Sequence, residues 1–192
     1  MSSREVEIKF TITDRRLLAR KLRAGGFHVL HTRTHEFNTL YDFMTPQGGE
    51  LRSRGELLRL RRYGSDWTFT FKGKAELAKH KSRIEQELNV SDGVVMDKIL
   101  RSLGFVPTFQ YEKYRTVWSD GHGDVMMDET PIGDIGEIEG AAKWIDRTAK
   151  KLGISQTDYS TASYATLFFD WKKRTGNKAM NMTWKAMGMK RK

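Results

Sequence analysis

The chain has 192 residues, a length that favours a single domain with its own hydrophobic core. Lys and Arg number 34 against 24 Asp and Glu, and hydrophobic residues make up 38%, which excludes disordered and collagen-like proteins. No apolar run approaches the ~20 residues that cross a bilayer. The charged first residues predict no secretory signal, and the absence of cysteine excludes disulfides and thiolate metal sites. Together these features predict a cytoplasmic protein with no membrane partner.

The positive charge is unevenly distributed along the chain. The net charge is +10, and the last 17 residues carry five cations and no acid. We therefore predict one domain over residues 1–175, followed by a basic, flexible and solvated tail at 176–192. The body is only mildly basic, which fits an anionic small molecule as readily as nucleic acid.

The first predicted element is a strand at residues 4–12. Apolar residues alternate there with Glu5, Glu7 and Lys9, which is the period of a strand with one face in a core. Helices are predicted from the spacing of their apolar residues and from capping residues at their ends. They are predicted at 13–26, 91–104, near 141–152 and at 161–174, with polar loops at 43–56 and 73–82.

Charged residues recur on one face of every later strand as well. Solvated sheet faces usually mix charge with Ser, Thr, Gln and Asn, so a face this dense in acids and bases indicates an enclosed polar interior. Sheets that close on themselves can have such an interior, with helices covering the apolar exterior. The anions are Glu5, Glu7, Glu85, Glu87, Asp128, Glu137 and Glu139, and the cations are Lys9, Arg59, Arg61, Lys72, Arg83, Lys113 and Arg115.

An internal repeat is indicated at an offset of 78 residues. We infer two similar halves related by a pseudo-two-fold axis, although chance and common strand–helix patterning also produce such matches. The overlay places cations of one half on acids of the other, so the interior would be electrically asymmetric. The aligned pairs are Glu7 with Glu85, Asp14 with Asp92, Leu22 with Leu100 and, extended without a gap, Arg59 and Arg61 with Glu137 and Glu139.

The interior residues suit a polyphosphate bridged by a divalent metal. Arginine pairs such as Arg59 and Arg61 bind phosphate oxygens with bidentate hydrogen bonds. Acids spaced i, i+2 on a strand, such as Glu137 and Glu139, point two carboxylates in one direction, and oxygen ligands suit Mg²⁺ or Mn²⁺. No P-loop, nucleophile elbow or histidine metal motif offers a competing active site.

The ordered motifs resemble one known family. Glu5 to Lys9 form an ExExK motif, and the chain continues with Leu58 to Arg61, Arg83 to Glu87, Glu112 to Arg115 and Glu137 to Glu139. This series resembles the CYTH superfamily, the triphosphate tunnel metalloenzymes, over about residues 4–171. The resemblance implies an α+β fold: a closed eight-stranded antiparallel β-barrel with helices packed outside.

The resemblance also implies roles for the interior residues. Glu7, Glu137 and Glu139 would bind the metal, with Glu5 and Asp128 assisting. Lys9 would orient or activate the nucleophile and is the implied catalytic residue. Arg83, Glu85 and Glu87 would order the phosphate-binding cations or a second metal, with Glu85 and Glu87 in a supporting role, or the three would form a buried ion network. The implied triphosphate-binding residues are Lys9, Arg59, Arg61, Lys72, Arg83, Lys113 and Arg115.

Three functions stay open at this point. The favoured one is metal-dependent hydrolysis of inorganic triphosphate or of a nucleoside or thiamine triphosphate. The second is a class IV adenylyl cyclase, disfavoured because the His-Phe pair that often precedes ExExK in those enzymes is missing before Glu5. The third is a non-catalytic polyphosphate- or RNA-binding module, disfavoured because half of the polar set is acidic and repels nucleic acid. A monomer and a homodimer are both compatible with the sequence.

Overall fold

The computed structural model describes residues 2–191 as a closed antiparallel β-barrel with helices outside it. The barrel contains the eight strands β1, β11, β10, β9, β2, β5, β6 and β8 in that order, and β1 pairs with β8 to close it. The strands are β1 (Ser2–Thr11), β2 (His28–Asp42), β3 (Met44–Thr45), β4 (Gly48–Gly49), β5 (Leu57–Tyr63), β6 (Asp66–Lys72), β7 (Glu76–Leu77), β8 (Lys81–Val90), β9 (Val106–Ser119), β10 (Gly123–Thr130) and β11 (Gly133–Gly140).

The four predicted helices are confirmed, with ends within three residues of those expected. The Asp14 and Asp92 side chains accept hydrogen bonds from backbone N–H groups of the first turns, as N-caps do. A short additional helix lies in the loop at 43–56. The helices are α1 (Arg15–Ala24), α2 (Glu50–Ser53), α3 (Gly93–Ser102), α4 (Ala142–Leu152) and α5 (Tyr164–Thr175). No helix within residues 2–191 is both long and apolar enough to cross a bilayer.

The hydrophobic core lies outside the barrel, under the helices. The outward side chains of β1, β10 and β11 pack against α1 and α4, with Ile8 and Ile145 fully buried. A second cluster lies under α5, and a third joins β5 and β6 to α3. Strand alternation therefore leaves the other face of each strand, with its charges, inside the barrel.

The repeat is confirmed for the first three elements of each half and fails afterwards. Both helices, α1 and α3, and both following strands, β2 and β9, begin 78 residues apart. Residues 43–56 then connect β2 to β5, whereas only 120–122 connect β9 to β10. Strand β5 therefore corresponds to β10, and β6 to β11. The gapless pairing of Arg59 and Arg61 with Glu137 and Glu139 is wrong, because the insertion shifts the register.

The C-terminal segment at 177–191 packs on the barrel instead of extending into solvent as a tail. The backbone of Met182 pairs with Gln110 and Glu112 of β9, along an edge that β10 leaves free. Trp184 is 2% exposed, and its backbone N–H donates to the Glu112 carboxylate at 2.9 Å. The basic composition of this segment gave no indication that Met182 and Trp184 would be buried. Lys192, the end of the predicted tail, lies outside the described residues.

We expect Trp184→Ala to lower the free energy of unfolding by about 3–5 kcal/mol, because it empties a fully enclosed aromatic site. The matched control is Met180→Ala in the same segment, where the side chain is 70% exposed, and it should change stability by less than about 0.5 kcal/mol. Urea denaturation followed by circular dichroism measures both. Equal, small effects would mean that the segment is not held on the barrel in solution.

Candidate active site

The barrel contains a cavity of about 500 Å³ that is lined mostly by charged residues. The inward positions alternate with the core positions on each strand, which brings residues distant in sequence to one surface. Every predicted site residue except Asp128 lines this cavity. The lining members of the predicted set are Glu5, Glu7, Lys9, Arg59, Arg61, Lys72, Arg83, Glu85, Glu87, Lys113, Arg115, Glu137 and Glu139.

Four carboxylates, those of Glu5, Glu7, Glu137 and Glu139, line the cavity from the adjacent strands β1 and β11. Glu7 lies opposite Glu139 in the strand register, and Glu137 lies opposite Lys9. Glu139 makes no ion pair with any of residues 2–191, and burial together with the carboxylates of Glu5 and Glu137 raises its pKa to about 7. The raised pKa reports uncompensated negative charge at this part of the wall.

Lys9 lies between two of these acids and is 3% exposed. Its Nζ is 2.9 Å from Glu7 Oε1 and 3.3 Å from Glu137 Oε1. Burial alone would lower the pKa of Lys9, but the Glu137 and Glu7 carboxylates outweigh it and raise that pKa above its usual value. Lys9 therefore keeps its positive charge among the carboxylates of Glu5, Glu7, Glu137 and Glu139, which we call the acidic group.

A second ion cluster links β1 to β6 and β8. Lys72 Nζ is 2.8 Å from Glu5 Oε1 and 2.7 Å from Glu85 Oε2. Arg83 Nε donates to Glu5 at 3.1 Å. These contacts fit the predicted supporting role of Glu85, and they show that Glu5 is already paired with two cations.

The arginines of β5 lie across the barrel from β11, since the two strands are four positions apart in the ring of eight. Arg61 Nη2 donates to Glu87 at 3.1 Å, and Arg59 Nη2 donates to Thr70 at 3.2 Å. Arg59 Nε is buried without a hydrogen-bond partner. A buried hydrogen-bond donor without a partner destabilises the folded protein, so the Arg59 guanidinium is suited to bind an anionic ligand.

Asp128 lies behind the cavity wall and not among the four carboxylates. It is fully buried, and its oxygens accept from Arg115 Nε at 2.7 Å, from Lys113 Nζ at 2.9 Å and from the Tyr164 hydroxyl. The Tyr164 ring also lies 4.3 Å from Lys113 Nζ, in a cation–π contact. Asp128 and Tyr164 therefore fix the direction of two cavity cations.

The sequence prediction missed three charged residues of the interior, of which Arg4 lines the cavity and pairs with Glu76. Lys81 lines the cavity with its Nζ 2.7 Å from Glu7 Oε1, and alternation two residues before Arg83 could have identified it. Glu36 on β2 is 1% exposed and lies 3.5 Å from Lys113 Nζ. Burial alone would raise the pKa of Glu36, but Lys113 and Arg115 lower it to about 2. No strand was predicted for most of β2, so nothing had indicated Glu36.

The donor chemistry of the acidic group fits a hard divalent cation, because carboxylate oxygens are the ligands that Mg²⁺ and Mn²⁺ prefer. Glu5, Glu7, Glu137 and Glu139 supply such oxygens from two neighbouring strands, and the charge around Glu139 is uncompensated. Within residues 2–191 no three acidic or imidazole groups are gathered as a metal-binding cluster. Glu5, Glu7 and Glu137 are instead ion-paired with lysines and arginines.

Comparison with known proteins agrees with the barrel fold. The CYTH domain model matches residues 3–164. The chain belongs to the CYTH domain family. A CYTH relative from Methanocaldococcus jannaschii, named "Putative adenylate cyclase", is 27% identical over 177 residues, which cover 85% of this chain and 97% of that protein.

Solved structures share the CYTH fold with this chain. A Vibrio parahaemolyticus protein named "putative adenylate cyclase" has a TM-score of 0.75 and 20% identity, covering 86% of this chain and 97% of that one. A Hippeastrum protein has a TM-score of 0.62 and 20% identity, covering 86% and 95% of the two chains. It is described as a "Putative adenylyl cyclase" that reveals a dominant triphosphatase activity.

Proposed function

We propose that this CYTH protein hydrolyses the terminal phosphate of a triphosphate-bearing substrate, with Mg²⁺ or Mn²⁺ as cofactor. The observation that carries the proposal is the opposition of charge across the cavity: four carboxylates on β1 and β11, and an arginine pair on β5 across the ring. A linear triphosphate needs cations along its whole length and a metal to neutralise the rest of its charge. Neither a neutral sugar nor a fatty acid would match such a wall.

The cavity cations are proposed to bind the phosphates. Arg59 and Arg61 can form bidentate hydrogen bonds with phosphate oxygens, whereas the lysines act as point charges. Lys81 is added to the predicted set, because it lines the same wall. Asp128 is proposed as a positioning residue for its cation partners and not as a metal ligand. The proposed phosphate-binding residues are Lys9, Arg59, Arg61, Lys72, Lys81, Arg83, Lys113 and Arg115.

Glu5, Glu7, Glu137 and Glu139 are the residues proposed to hold the metal. A bound divalent cation would supply charge neutralisation of the phosphate oxygens and polarisation of phosphorus. Lys9 is proposed as the catalytic residue, because it stands as a cation beside Glu7 and Glu137, where it can donate to a phosphate oxygen or orient the attacking water. Lys9 and Glu137 are 3% and 5% exposed, and charges buried to this degree interact more strongly than charges in bulk water.

We propose hydrolysis before cyclisation because of the residues that line the cavity. A cyclase must bind the nucleoside to direct the ribose 3′-hydroxyl at the α-phosphate. The aromatic rings of the described lining are Tyr111 and Tyr164, and these two are stacked on each other with centroids 5.4 Å apart. The dominant triphosphatase activity of the Hippeastrum homologue supports the same choice. The cyclase is kept as the second candidate, because the M. jannaschii and V. parahaemolyticus relatives carry that name.

The test is product identification with purified protein, Mg²⁺ or Mn²⁺, and either inorganic triphosphate or ATP. We expect orthophosphate in equal amount to the shortened phosphate chain, no cyclic AMP, and no reaction with excess EDTA. Cyclic AMP with an equal amount of pyrophosphate would establish the cyclase instead. Binding of both compounds without turnover, measured by calorimetry, would contradict both enzymes and favour a polyphosphate-binding module.

A further inference from the structure

A fully buried carboxylate, that of Glu36 on β2, lies among the cations of the cavity. It is 1% exposed, and Lys113 Nζ and Arg115 Nε lie 3.5 Å and 4.0 Å from its oxygens. Burial alone would raise the pKa of Glu36, but four cations outweigh it and lower that pKa to about 2, so the side chain is ionised. The charge of Glu36 therefore acts on proposed phosphate-binding residues of both β5 and β9. The four cations are Lys113, Arg115, Arg61 and Arg59.

Glu36 makes longer contacts with these cations than Asp128, a second buried acid beside them. Arg115 donates to Asp128 at 2.7 Å and Lys113 at 2.9 Å, which are the distances of charge-assisted hydrogen bonds. The contacts of Glu36 at 3.5 Å and 4.0 Å exceed those distances. Asp128 therefore fixes the direction of both cations, whereas Glu36 acts on them through its charge, an effect that decreases only slowly with distance.

The surroundings hold Glu36 in place without neutralising it. The amide nitrogen of Asn38, a residue that is also fully buried, donates to Glu36 Oε1 at 2.9 Å. The second oxygen, Oε2, has no hydrogen-bond partner among residues 2–191. The described lining of the cavity includes Lys113 and Arg115 but not Glu36, so a bound phosphate would contact the cations and not this carboxylate. A neutral glutamine could accept the same hydrogen bond with a smaller desolvation penalty, so the hydrogen bond alone does not explain the charge.

We propose that Glu36 is a counter-charge that limits how tightly the cavity binds phosphate chains, so that the shortened product can leave. The inference rests on the proposed triphosphatase function. The cations that attract a triphosphate also attract pyrophosphate, the shortened product of inorganic triphosphate, because both carry the same phosphate oxygens. Tighter binding of substrate and product alike does not raise kcat. A fixed anion behind the cations lowers the affinity for both compounds, while Asp128 keeps the cations oriented.

Glu36→Gln tests the charge with little change of shape. We expect the dissociation constant of pyrophosphate, measured by isothermal titration calorimetry without metal, to fall at least about 10-fold, because charges inside a protein interact more strongly than in water. In triphosphate hydrolysis KM and kcat should fall together, since slower release of pyrophosphate then limits turnover. A structural defect alone would raise KM or leave it unchanged.

Two variants are matched controls for Glu36→Gln. Glu36→Asp keeps the charge and should bind pyrophosphate as the wild type does. Glu112→Gln removes an equally buried carboxylate, 1% exposed, that pairs with His35 and Arg191 and does not line the described cavity. It should change the dissociation constant of pyrophosphate less than about 3-fold, because Arg191 is largely exposed and solvent screens its charge.

Thermal unfolding provides a second readout that needs no turnover. Glu36→Gln should lower the melting temperature of the free protein, and pyrophosphate should raise it by more than it raises that of the wild type. Unchanged or weaker pyrophosphate binding in Glu36→Gln would overturn the inference, as would equally tightened binding in Glu36→Asp or Glu112→Gln. A wild type that hydrolyses no triphosphate, combined with tightened pyrophosphate binding in Glu36→Gln, would contradict the proposed function and support the counter-charge.

Discussion

Glu137→Gln is expected to lose at least about 100-fold in kcat, because even residues one shell further from a metal cost 10–100-fold when replaced. The amide keeps the shape of the side chain but removes the charge that we assign to metal binding. Arg115 remains paired with Asp128, and Lys9 remains paired with Glu7, so neither buried cation is stranded. We therefore expect the circular dichroism spectrum of the folded protein to be retained, and the loss to be partly offset at high Mn²⁺ concentration.

The matched control is Glu129→Gln on β10, a carboxylate that pairs with Arg15 and Arg33 outside the cavity. It should retain wild-type kcat and KM. Steady-state release of orthophosphate from inorganic triphosphate measures both variants. Full activity in Glu137→Gln would contradict the assignment of the acidic group as the metal site.

Lys9→Met is expected to change activity and metal affinity in opposite directions. Turnover should fall at least about 100-fold, because a preorganised cation at the reacting phosphate is lost. Affinity of the substrate-free protein for Mn²⁺ should rise, because Lys9 no longer neutralises Glu7 and Glu137. Electron paramagnetic resonance of free Mn²⁺ measures the affinity without any turnover.

Lys79→Met is the control for Lys9→Met. Lys79 is an outer-surface lysine paired with Asp146, and its side chain is 42% exposed. It should leave turnover and Mn²⁺ affinity unchanged. A fall in Mn²⁺ affinity in Lys9→Met would show that the lysine supports the metal site indirectly and does not compete with the metal for its carboxylates.

Strand alternation made the barrel and most of its wall predictable. Glu5, Glu7 and Lys9 share a face because successive side chains of a strand point to opposite faces, and no register shift interrupts β1. The starts of these helices were also predictable from local sequence, because Asp14 and Asp92 cap the first turns of the helices that follow them. The ordered motifs, compared with a known family, then supplied the strand number that alternation alone does not give.

The failures share a cause, which is dependence on distant parts of the chain. Arg59 was aligned with Glu137 because the insertion at 43–56 interrupts the repeat without an obvious sequence break. The docking of Trp184 depends on the free edge of β9, which only the closed barrel defines. Asp128 is at an inward position of its strand, as alternation predicts. It lies behind the cavity wall, where it accepts a hydrogen bond from Tyr164, a residue 36 positions away.

Ion pairs within the cavity also limit which anions can bind there. Lys72 is shared between Glu5 and Glu85, and Lys9 between Glu7 and Glu137, so an entering anion must compete with a carboxylate for each cation. Chloride or a single orthophosphate offers too little charge to displace several such partners together, whereas a triphosphate can exchange them all. The wall would thus discriminate against orthophosphate, one of the two products of the proposed hydrolysis, and release of this product would not limit turnover.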